Sequence, residues 1–459
     1  MKDPVPEGQD ALLNEVWTFS LFEALFGRRA RRFAYGMEIP HGPLAFKSNY
    51  APLPLSELEQ ALLIAAGTGV TGRHFGIPHT ASDPGLSSYS VRLTGRTFPT
   101  AAGIGTLELF YTDDQGTYLV KTRDAGASGL RECRGQSDTE RMLTRCRELT
   151  VKLSDQRLTI PREPPHISEH NLWNANCPGS TLFLPIGDVG QQVLAFLAIM
   201  ASNGYTLYDD LAKRPAGDLA PYFHSGLLNE SKRLPLSYIE QYVFSTVAME
   251  LATMGHNIVL ALQALGLGGW MFTGINPYSA MGAFADKGIP GLGFRFVRRE
   301  DWTLPNPVGL DGHYQSLCPP YYPDMHAAVR QLAAWKFGEG GTYDPTTSGP
   351  YKDPKQVKET VTSYSEELLS CLGEMAQYVY DMYGKFPATV PTIFMRVYVQ
   401  AHHLDTEFYD THFAPGSYLE THTRHMERWH GREQSRVRES RVRKEAIFFS
   451  ALIFCLLGG

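Results

Sequence analysis

The segment SYIEQYVFSTVAMELATMGHNIVLALQALGLGG, residues 237–269, is the most informative part of this chain. Its pattern predicts one long helix over 237–265, ended by the glycine-rich turn at 266–269. Because so little polar surface remains on this helix, we expect it to lie inside the fold. The apolar side chains of the helix itself are those of Ala248, Leu251, Ala252, Met254, Ile258, Val259, Leu260, Leu262 and Leu265.

Other helices and a hairpin are predicted around this central helix. Ser56, followed by acidic residues, predicts a capped helix start before the apolar run at 61–66. The acidic turn at 113–116 predicts a hairpin of strands 106–111 and 117–121. Further helices are predicted at 11–33, at 137–149, at 191–201, at 324–336, and from Asp353 to just before Gly384.

The composition is that of an ordered protein. Of 459 residues, 43% are hydrophobic and 20% are charged, which excludes general disorder and a simple coiled coil. The net charge is −6, although residues 424–444 hold eight basic and only three acidic side chains. The rest of the chain is therefore more acidic still. It offers no general basic face for phosphates, and we predict no nucleic-acid partner.

The cysteines and the two termini bear on cellular location. Six scattered cysteines without a C-x-x-C pair indicate neither a disulfide scaffold nor structural zinc, and they favour a reducing, cytoplasmic compartment. The first ten residues lack the basic-then-apolar order of a signal peptide. Residues 446–457 are apolar but reach only about 18 Å as a helix, too short to span a bilayer alone. The tail 431–459 fits peripheral contact with an anionic membrane, a solvated arm, or a helix packed on a partner subunit.

The common catalytic signatures are mostly missing. The chain contains no P-loop, no H-E-x-x-H, no G-x-S-x-G and no strand-flanked G-x-G-x-x-G. Three elements remain that suit an anionic, planar cofactor: the arginine cluster at 28–32, the small-residue run at 98–106, and the glycine-rich helix end. Guanidinium groups bind phosphate through paired hydrogen bonds, and small residues let a backbone approach a flat ring. A solvated charge run and an ordinary tight loop are the open alternatives.

These elements resemble motifs of the nitroreductase-like flavoproteins, especially the SagB-type branch related to azoline-oxidising peptide dehydrogenases. Residues 28–33, RRARRF, resemble R-R-S-x-R-x-F, and residues 54–70 resemble P-L-S-x-x-E-L-x-x-L-L-x-A-x-G-V. Residues 96–103, RTFPTAAG, resemble R-x-x-P-S-A-G-A before a strand. Residues 250–268 resemble E-x-x-x-x-x-Q-N-x-x-L-x-A-x-A-L-G-L-G. The resemblance covers about residues 20–310.

The resemblance implies an α+β, nitroreductase-like fold with a central antiparallel-rich sheet flanked by helices, binding FMN at a homodimer interface. It implies an FMN domain at 20–310, with the polar stretch at about 122–176 as an insertion. An N-terminal arm, 1–19, precedes this domain. A mostly helical extension at 311–430, interpreted as a lid over the pocket, and the tail 431–459 follow it.

The resemblance also implies a cofactor site. The arginines would hold the FMN phosphate, the small-residue run would line the isoalloxazine ring, and the segment after the long helix would face the reactive edge of the flavin. The sequence assigns no catalytic acid or base. The implied cofactor-binding residues are Arg28, Arg29, Arg32, Pro99, Thr100, Ala101, Ala102, Gly103, Asn257, Gly268, Gly269, Thr273 and Gly274.

The implied activity is FMN-dependent hydride transfer between flavin N5 and a small-molecule or peptide substrate, as in a dehydrogenation within a biosynthetic pathway. NAD(P)H-dependent reduction of nitro, quinone or enone compounds is an open alternative. Ala30 stands where the family has Ser, and the small-residue run is altered. A catalytically silent flavin-fold scaffold in a biosynthetic complex is therefore a second alternative.

A separate signal lies in the C-terminal third. Histidine and carboxylate side chains are metal ligands, but no recognised ligand spacing is present here. We therefore assign no metal ligand, and a polar lid or a plain surface is the main interpretation. Six of the 15 histidines fall within 402–430, interleaved with carboxylates: His402, His403, His412, His422, His425 and His430.

Overall fold

The computed structural model describes residues 9–77, 85–123 and 135–431. The tail predicted to be basic and then apolar lies outside these residues, apart from Gly431. The helices are α1 Gln9–Thr18, α2 Leu21–Gly27, α3 Glu57–Thr68, α4 Thr139–Leu149, α5 Val189–Ser202, α6 Ala220–His224, α7 Leu236–Leu265, α8 Pro277–Met281, α9 Met325–Phe337, α10 Pro354–Lys358, α11 Glu366–Tyr383, α12 Thr406–His412 and α13 Glu420–His430. The strands are β1 Glu38–Ile39, β2 Phe46–Lys47, β3 Val70–Arg73, β4 Thr94–Arg96, β5 Leu107–Asp113, β6 Gly116–Val120, β7 Thr150–Ser154, β8 Thr181–Asp188, β9 Thr206–Asp209, β10 Arg214–Pro215, β11 Arg233–Pro235, β12 Gly268–Phe272, β13 Arg295–Val297, β14 Asn306–Leu310, β15 Tyr314–Gln315, β16 Ile393–Phe394 and β17 Tyr398–His402.

A seven-stranded sheet forms the centre of the molecule. Six of its strands follow the order β12-β17-β8-β5-β6-β7, and β16 pairs with the other end of β8. Every pairing in this sheet is antiparallel. Strands β5 and β8 are buried along their whole length, so both faces of the sheet are covered. The mixed α+β class and the antiparallel central sheet are therefore confirmed.

The long helix α7 lies against this sheet, as its sequence predicts. Val247, Leu251 and Ile258 are fully buried among neighbours from α3, α5 and the sheet. Gly266, in the left-handed region at φ 74°, ends the helix. By length and composition alone α7 could cross a membrane, but half of its most apolar window is buried inside the protein. It is the core helix of this fold.

The predicted boundary at residue 310 is wrong. Strand β17, from the segment interpreted as a helical extension, lies inside the central sheet between β12 and β8. Its residue pairs include Gln400 with Trp270 on one side and with Leu182 on the other. The sequence concealed this because a buried five-residue strand has no distinctive periodicity. The segment 311–430 is thus part of the core and not a separate lid.

Two smaller helix predictions also need correction. The single helix predicted at 11–33 is two helices, because Ser20 accepts a hydrogen bond from the Glu23 amide and caps a new start. The helix expected from Asp353 is likewise interrupted, and Ser365 caps its second half. The predicted insertion 122–176 contributes β7, which pairs with β6 at the edge of the central sheet.

The inclusion of β17 in the core is tested by truncation. We expect a chain ended at residue 310 to lose cooperative unfolding in urea and its near-UV circular dichroism. Removing β17 leaves the hydrogen-bonding edges of β8 and β12 unpaired and exposes their apolar neighbours. A chain ended at Gly431 keeps the strand and serves as the control. Cooperative unfolding of the shorter chain would contradict the assignment.

Candidate functional site

The arginine cluster follows α2, and one of its members is internal. The Arg31 guanidinium is buried and donates to Gln263 Oε1 at 2.7 Å, to the Ser417 carbonyl at 3.0 Å and to the Gly27 carbonyl at 2.9 Å. Burial lowers the pKa of Arg31 to about 10. This arginine therefore fixes the chain in place and is not available to a ligand.

The three arginines predicted to bind phosphate, Arg28, Arg29 and Arg32, are exposed. Arg29 donates to backbone carbonyls, and the Arg32 guanidinium lies 6.0 Å from the centre of the Trp270 ring. Within the described residues, neither Arg28 nor Arg32 forms an ion pair with a carboxylate. The chain thus presents uncompensated positive charge beside β12.

The small-residue run is attached to α7 by two side chains. Asn257 donates from Nδ2 to the Thr97 carbonyl at 2.9 Å, and Glu250 Oε1 accepts from the Ala101 amide at 2.6 Å. These helix positions are seven residues apart and share one face. Burial raises the pKa of Glu250 to about 7, although the Ala101 hydrogen bond opposes the rise.

The run itself makes a tight turn. Ala102 and Gly103 both have positive φ, at 52° and 66°. A Cβ at Gly103 would lie 2.6 Å from Ser90 Oγ, so glycine is required there for space as well as for conformation. The predicted residues Thr100 and Ala101 are half-buried, whereas Pro99 and Ala102 are exposed.

The arginine cluster and this run both contact α7, and Gln263, which accepts from Arg31, lies six residues after Asn257. The charge of Arg28 helps burial to lower the pKa of His256, the neighbour of Asn257. Buried polar atoms without a partner in the described residues include Thr100 Oγ1 in the run, Glu250 Oε2 on α7 and Trp270 Nε1 on β12. Such orphaned groups are uncommon in folded proteins and are expected where a polar ligand binds.

The remaining residues predicted to bind the cofactor give less support for a cofactor site. Gly268 and Gly269 are buried against β17, and the Gly269 amide donates to the Arg31 carbonyl at 2.8 Å. Gly274 lies against Asn171, since a Cβ would meet Asn171 Oδ1 at 2.0 Å. Thr273 is exposed. Close packing against neighbouring side chains and backbone accounts for the three glycines, and their contact with a cofactor stays a prediction.

Comparison with known proteins adds little. No family model and no curated protein matches this chain. A solved structure named "putative nitroreductase", from Ralstonia eutropha JMP134, covers 60% of this chain and 75% of its own at 12% identity, with a TM-score of 0.24.

The histidine-rich stretch divides into two groups. His402 donates from Nε2 to the Arg31 carbonyl at 3.1 Å, and His412 packs between Phe46 and Phe408. His422 is buried and accepts at Nδ1 from the Leu419 amide. The other three, His403, His425 and His430, converge on Glu59, and the four ligand atoms all lie within 4.8 Å of one another.

This second cluster, Glu59–His403–His425–His430, is closely packed and largely buried. Glu59 Oε1 lies 3.0 Å from His425 Nε2 and 2.9 Å from His430 Nε2, and His403 Nδ1 lies 3.1 Å from His425 Nε2. Burial lowers the pKa of His403 to about 3, although the negative charge of Glu59 opposes this decrease. Burial alone would raise the pKa of Glu59, but the neighbouring His425, His430 and His403 outweigh burial and lower that pKa.

Sequence reasoning missed Glu59 as a member of this cluster. It read the residue only as an acid in the first turn of α3, where Glu59 does complete a capping box with Ser56. The available signal was its position three and four residues before Leu62 and Leu63, which places it on the apolar face. A carboxylate on a buried face needs a partner.

The Glu250 contact predicts a pH dependence of stability. Its folded-state pKa of about 7 lies above the ordinary 4.5, so its contribution is complete below pH 4.5 and is lost as the pH rises through 7. Between pH 5 and 7.5 we expect the unfolding free energy of the wild type to fall by about 2 kcal/mol relative to Glu250→Gln. Urea unfolding of both proteins across this range measures the difference, and parallel profiles would contradict the pKa shift.

Proposed function

We propose that this protein is an FMN-dependent oxidoreductase of the nitroreductase-like class. One observation carries the proposal: α7 contacts both motifs, holding the Thr97 carbonyl and the Ala101 amide through Asn257 and Glu250 and accepting from Arg31 through Gln263. The two motifs are about 70 residues apart in sequence. Their contact with the same helix is what a shared ligand site requires, whereas unrelated surface loops have no reason to meet there.

The residues suit the two ends of the cofactor. Arg28 and Arg32 are exposed, carry no carboxylate partner in the described residues, and offer planar donor pairs to a phosphate. The strained turn at Ala102 and Gly103 brings backbone close to the position of a flat ring. Bound flavin would supply hydride storage and release, while the protein supplies orientation and polar groups at its rim.

Glu250 has a further place in this proposal. It holds the Ala101 amide with one carboxyl oxygen and leaves the other buried and unpaired. With a pKa of about 7, the carboxyl group is partly neutral at physiological pH and would donate or accept one hydrogen bond there. It would therefore keep the run seated against α7 in either state.

The finer parts of the proposal concern the reaction. We favour the SagB-type branch and a dehydrogenation of a small-molecule or peptide substrate. Flavin-dependent oxidation of NAD(P)H with nitro, quinone or enone acceptors would favour the reductase alternative. Tight FMN binding without photoreduction or turnover, together with a co-purifying partner, would favour the scaffold.

A cytoplasmic location and a peripheral membrane contact of the tail stay predictions. Vesicle co-sedimentation tests the membrane contact.

Cofactor binding is tested on the arginines. We expect purified protein to show flavin absorbance after addition of FMN, and Arg28→Ala/Arg32→Ala to weaken FMN binding by at least about 100-fold, since each charged hydrogen bond contributes roughly 1.5–3 kcal/mol. Arg233→Ala, an exposed arginine just before the other end of α7, is the matched control. Titration followed by flavin fluorescence measures both. A colourless protein, or equal affinity in all three, would refute the proposal.

The proposal includes a homodimer. Tyr238, Tyr242 and Met249 are exposed on one stripe of α7, and Phe22 and Phe26 stack on neighbouring α2 with 69% and 76% exposure. Exposed apolar surface of this extent marks interaction sites. We expect Met249→Lys with Phe26→Lys to shift the protein from dimer to monomer in sedimentation equilibrium, with Met382→Lys as the control. A wild type that sediments as a monomer would refute the dimer.

A further inference from the structure

The Glu59–His403–His425–His430 cluster joins three separate parts of the chain in the core. Glu59 comes from the first turn of α3, His403 follows β17, and His425 and His430 come from α13. The side chains of the first three are at most 2% exposed, and that of His430 is 18% exposed. Four titratable groups in such a position need a compensating partner.

Backbone carbonyls fix the tautomers of two of these histidines. His425 Nδ1 lies 2.7 Å from the Leu265 carbonyl, and His403 Nε2 lies 3.3 Å from the Pro54 carbonyl. A carbonyl oxygen only accepts, so both of these ring nitrogens carry the proton. In the neutral rings, the other nitrogens, His403 Nδ1 and His425 Nε2, are then both acceptors, and they face each other at 3.1 Å.

Glu59 adds another acceptor to the same point. Its Oε2 already accepts the Ser56 amide at 2.6 Å, which leaves Oε1 directed at His425 Nε2 and His430 Nε2. Lone pairs from a carboxylate and two imidazoles therefore meet in one small volume, with His430 able to supply a third nitrogen. A metal ion or an added proton at this point would satisfy the arrangement.

The geometry points to a bound divalent transition-metal ion, with Zn²⁺ as the expected occupant. Three imidazole nitrogens and one carboxylate oxygen form a ligand set typical of zinc. Ligands at roughly 2.1 Å from a tetrahedral centre are about 3.4 Å apart. The present atoms are 2.9 Å apart at the closest quoted pair and within 4.8 Å overall, so they need only small side-chain movements. The carbonyls of Leu265 and Pro54 and the Ser56 amide are the outer partners that orient metal ligands.

The site has the character of a structural one. Four protein ligands complete a tetrahedral shell and leave no open position for substrate. The ion would hold α13 and the residue after β17 against the start of α3, linking segments more than 340 residues apart in sequence. This inference does not depend on the proposed flavin function, because none of the four ligands belongs to the predicted cofactor site.

A rival occupant is a proton. If His425 were an imidazolium, its Nε2–H would lie between Glu59 Oε1 and His403 Nδ1, and the cluster would be satisfied without metal. The two occupants differ in metal content and in spectrum, so they are separated by measurement on the intact chain. The fully folded wild type suffices for the first test, whatever the variants do.

The test begins with the full-length protein, purified without a histidine tag and without chelators. We expect about one zinc ion per chain by inductively coupled plasma mass spectrometry. After removal of zinc with EDTA, we expect a lower thermal unfolding midpoint, restored by added Zn²⁺. Added Co²⁺ should give the visible absorption of a tetrahedral site. A wild type that takes up neither ion would overturn the proposal and favour the proton.

Variants then locate the ion. His430→Gln removes the most exposed ligand and is the least disruptive to the core. We expect it to weaken Zn²⁺ binding by more than about 100-fold, since even outer partners of a metal site contribute roughly 10–100-fold. His412→Gln, in the same stretch but outside the cluster, should bind zinc like the wild type. Circular dichroism checks that both are folded. Equal zinc affinity in the two variants would overturn the assignment of ligands.

Discussion

The burial of α7 against the antiparallel sheet is the constraint on which the rest of this structure depends. A helix with so little polar surface is stable only when other elements cover it. The sheet covers one side, and α3 and α5 cover others. Strand β17, from near the end of the chain, completes the sheet beside it. Both halves of the sequence are therefore needed before α7 is covered.

The C-terminal end of α7 contacts both the segment after α2 and helix α13. Gln263 in its last turn accepts from Arg31, and its carbonyl accepts from Thr421 Oγ1 at 2.8 Å. A Cβ on Gly266 would lie only 2.2 Å from the Thr421 carbonyl, so α13 approaches this turn as closely as a glycine permits. The Leu265 carbonyl, left unpaired within the helix, accepts from His425. The arginine cluster and the histidine cluster are thus both anchored on one helix terminus.

The sequence was informative where local rules decide the structure. The capped start of α3, the hairpin of β5 and β6 and the extent of α7 follow from capping residues, turn residues and apolar pattern within short windows. What failed was long-range. Nothing local distinguishes β17 from a loop or a helical segment, because its place is set by pairing with β8 and β12, which are far away in sequence. Ser20 and Ser365 are local capping signals for a new helix start, but the apolar pattern around them predicted uninterrupted helices.

The candidate sites also combine features that local sequence predicts with features that only long-range packing determines. The motif resemblance named Arg28, Arg29 and Arg32 as phosphate ligands and left Arg31 out, but it gave no structural reason to distinguish Arg31 from its exposed neighbours. That distinction comes from the hydrogen bonds Arg31 makes with Gln263 and Ser417, which no spacing rule contains.

The histidine cluster shows why spacing alone could not assign it. Glu59 caps helix α3, His403 directly follows strand β17, and His425 and His430 are five residues apart on α13. These four ligands therefore match no contiguous sequence pattern. They come together because the α3 cap, the end of β17 and α13 all pack near the terminus of α7. The sequence held two clues, the histidine-rich stretch 402–430 and a carboxylate on the apolar face of α3. A buried charge is retained only with compensation, and here three imidazoles from the far end of the chain lie around it. The same closure of the fold that buries α7 therefore creates the cation site.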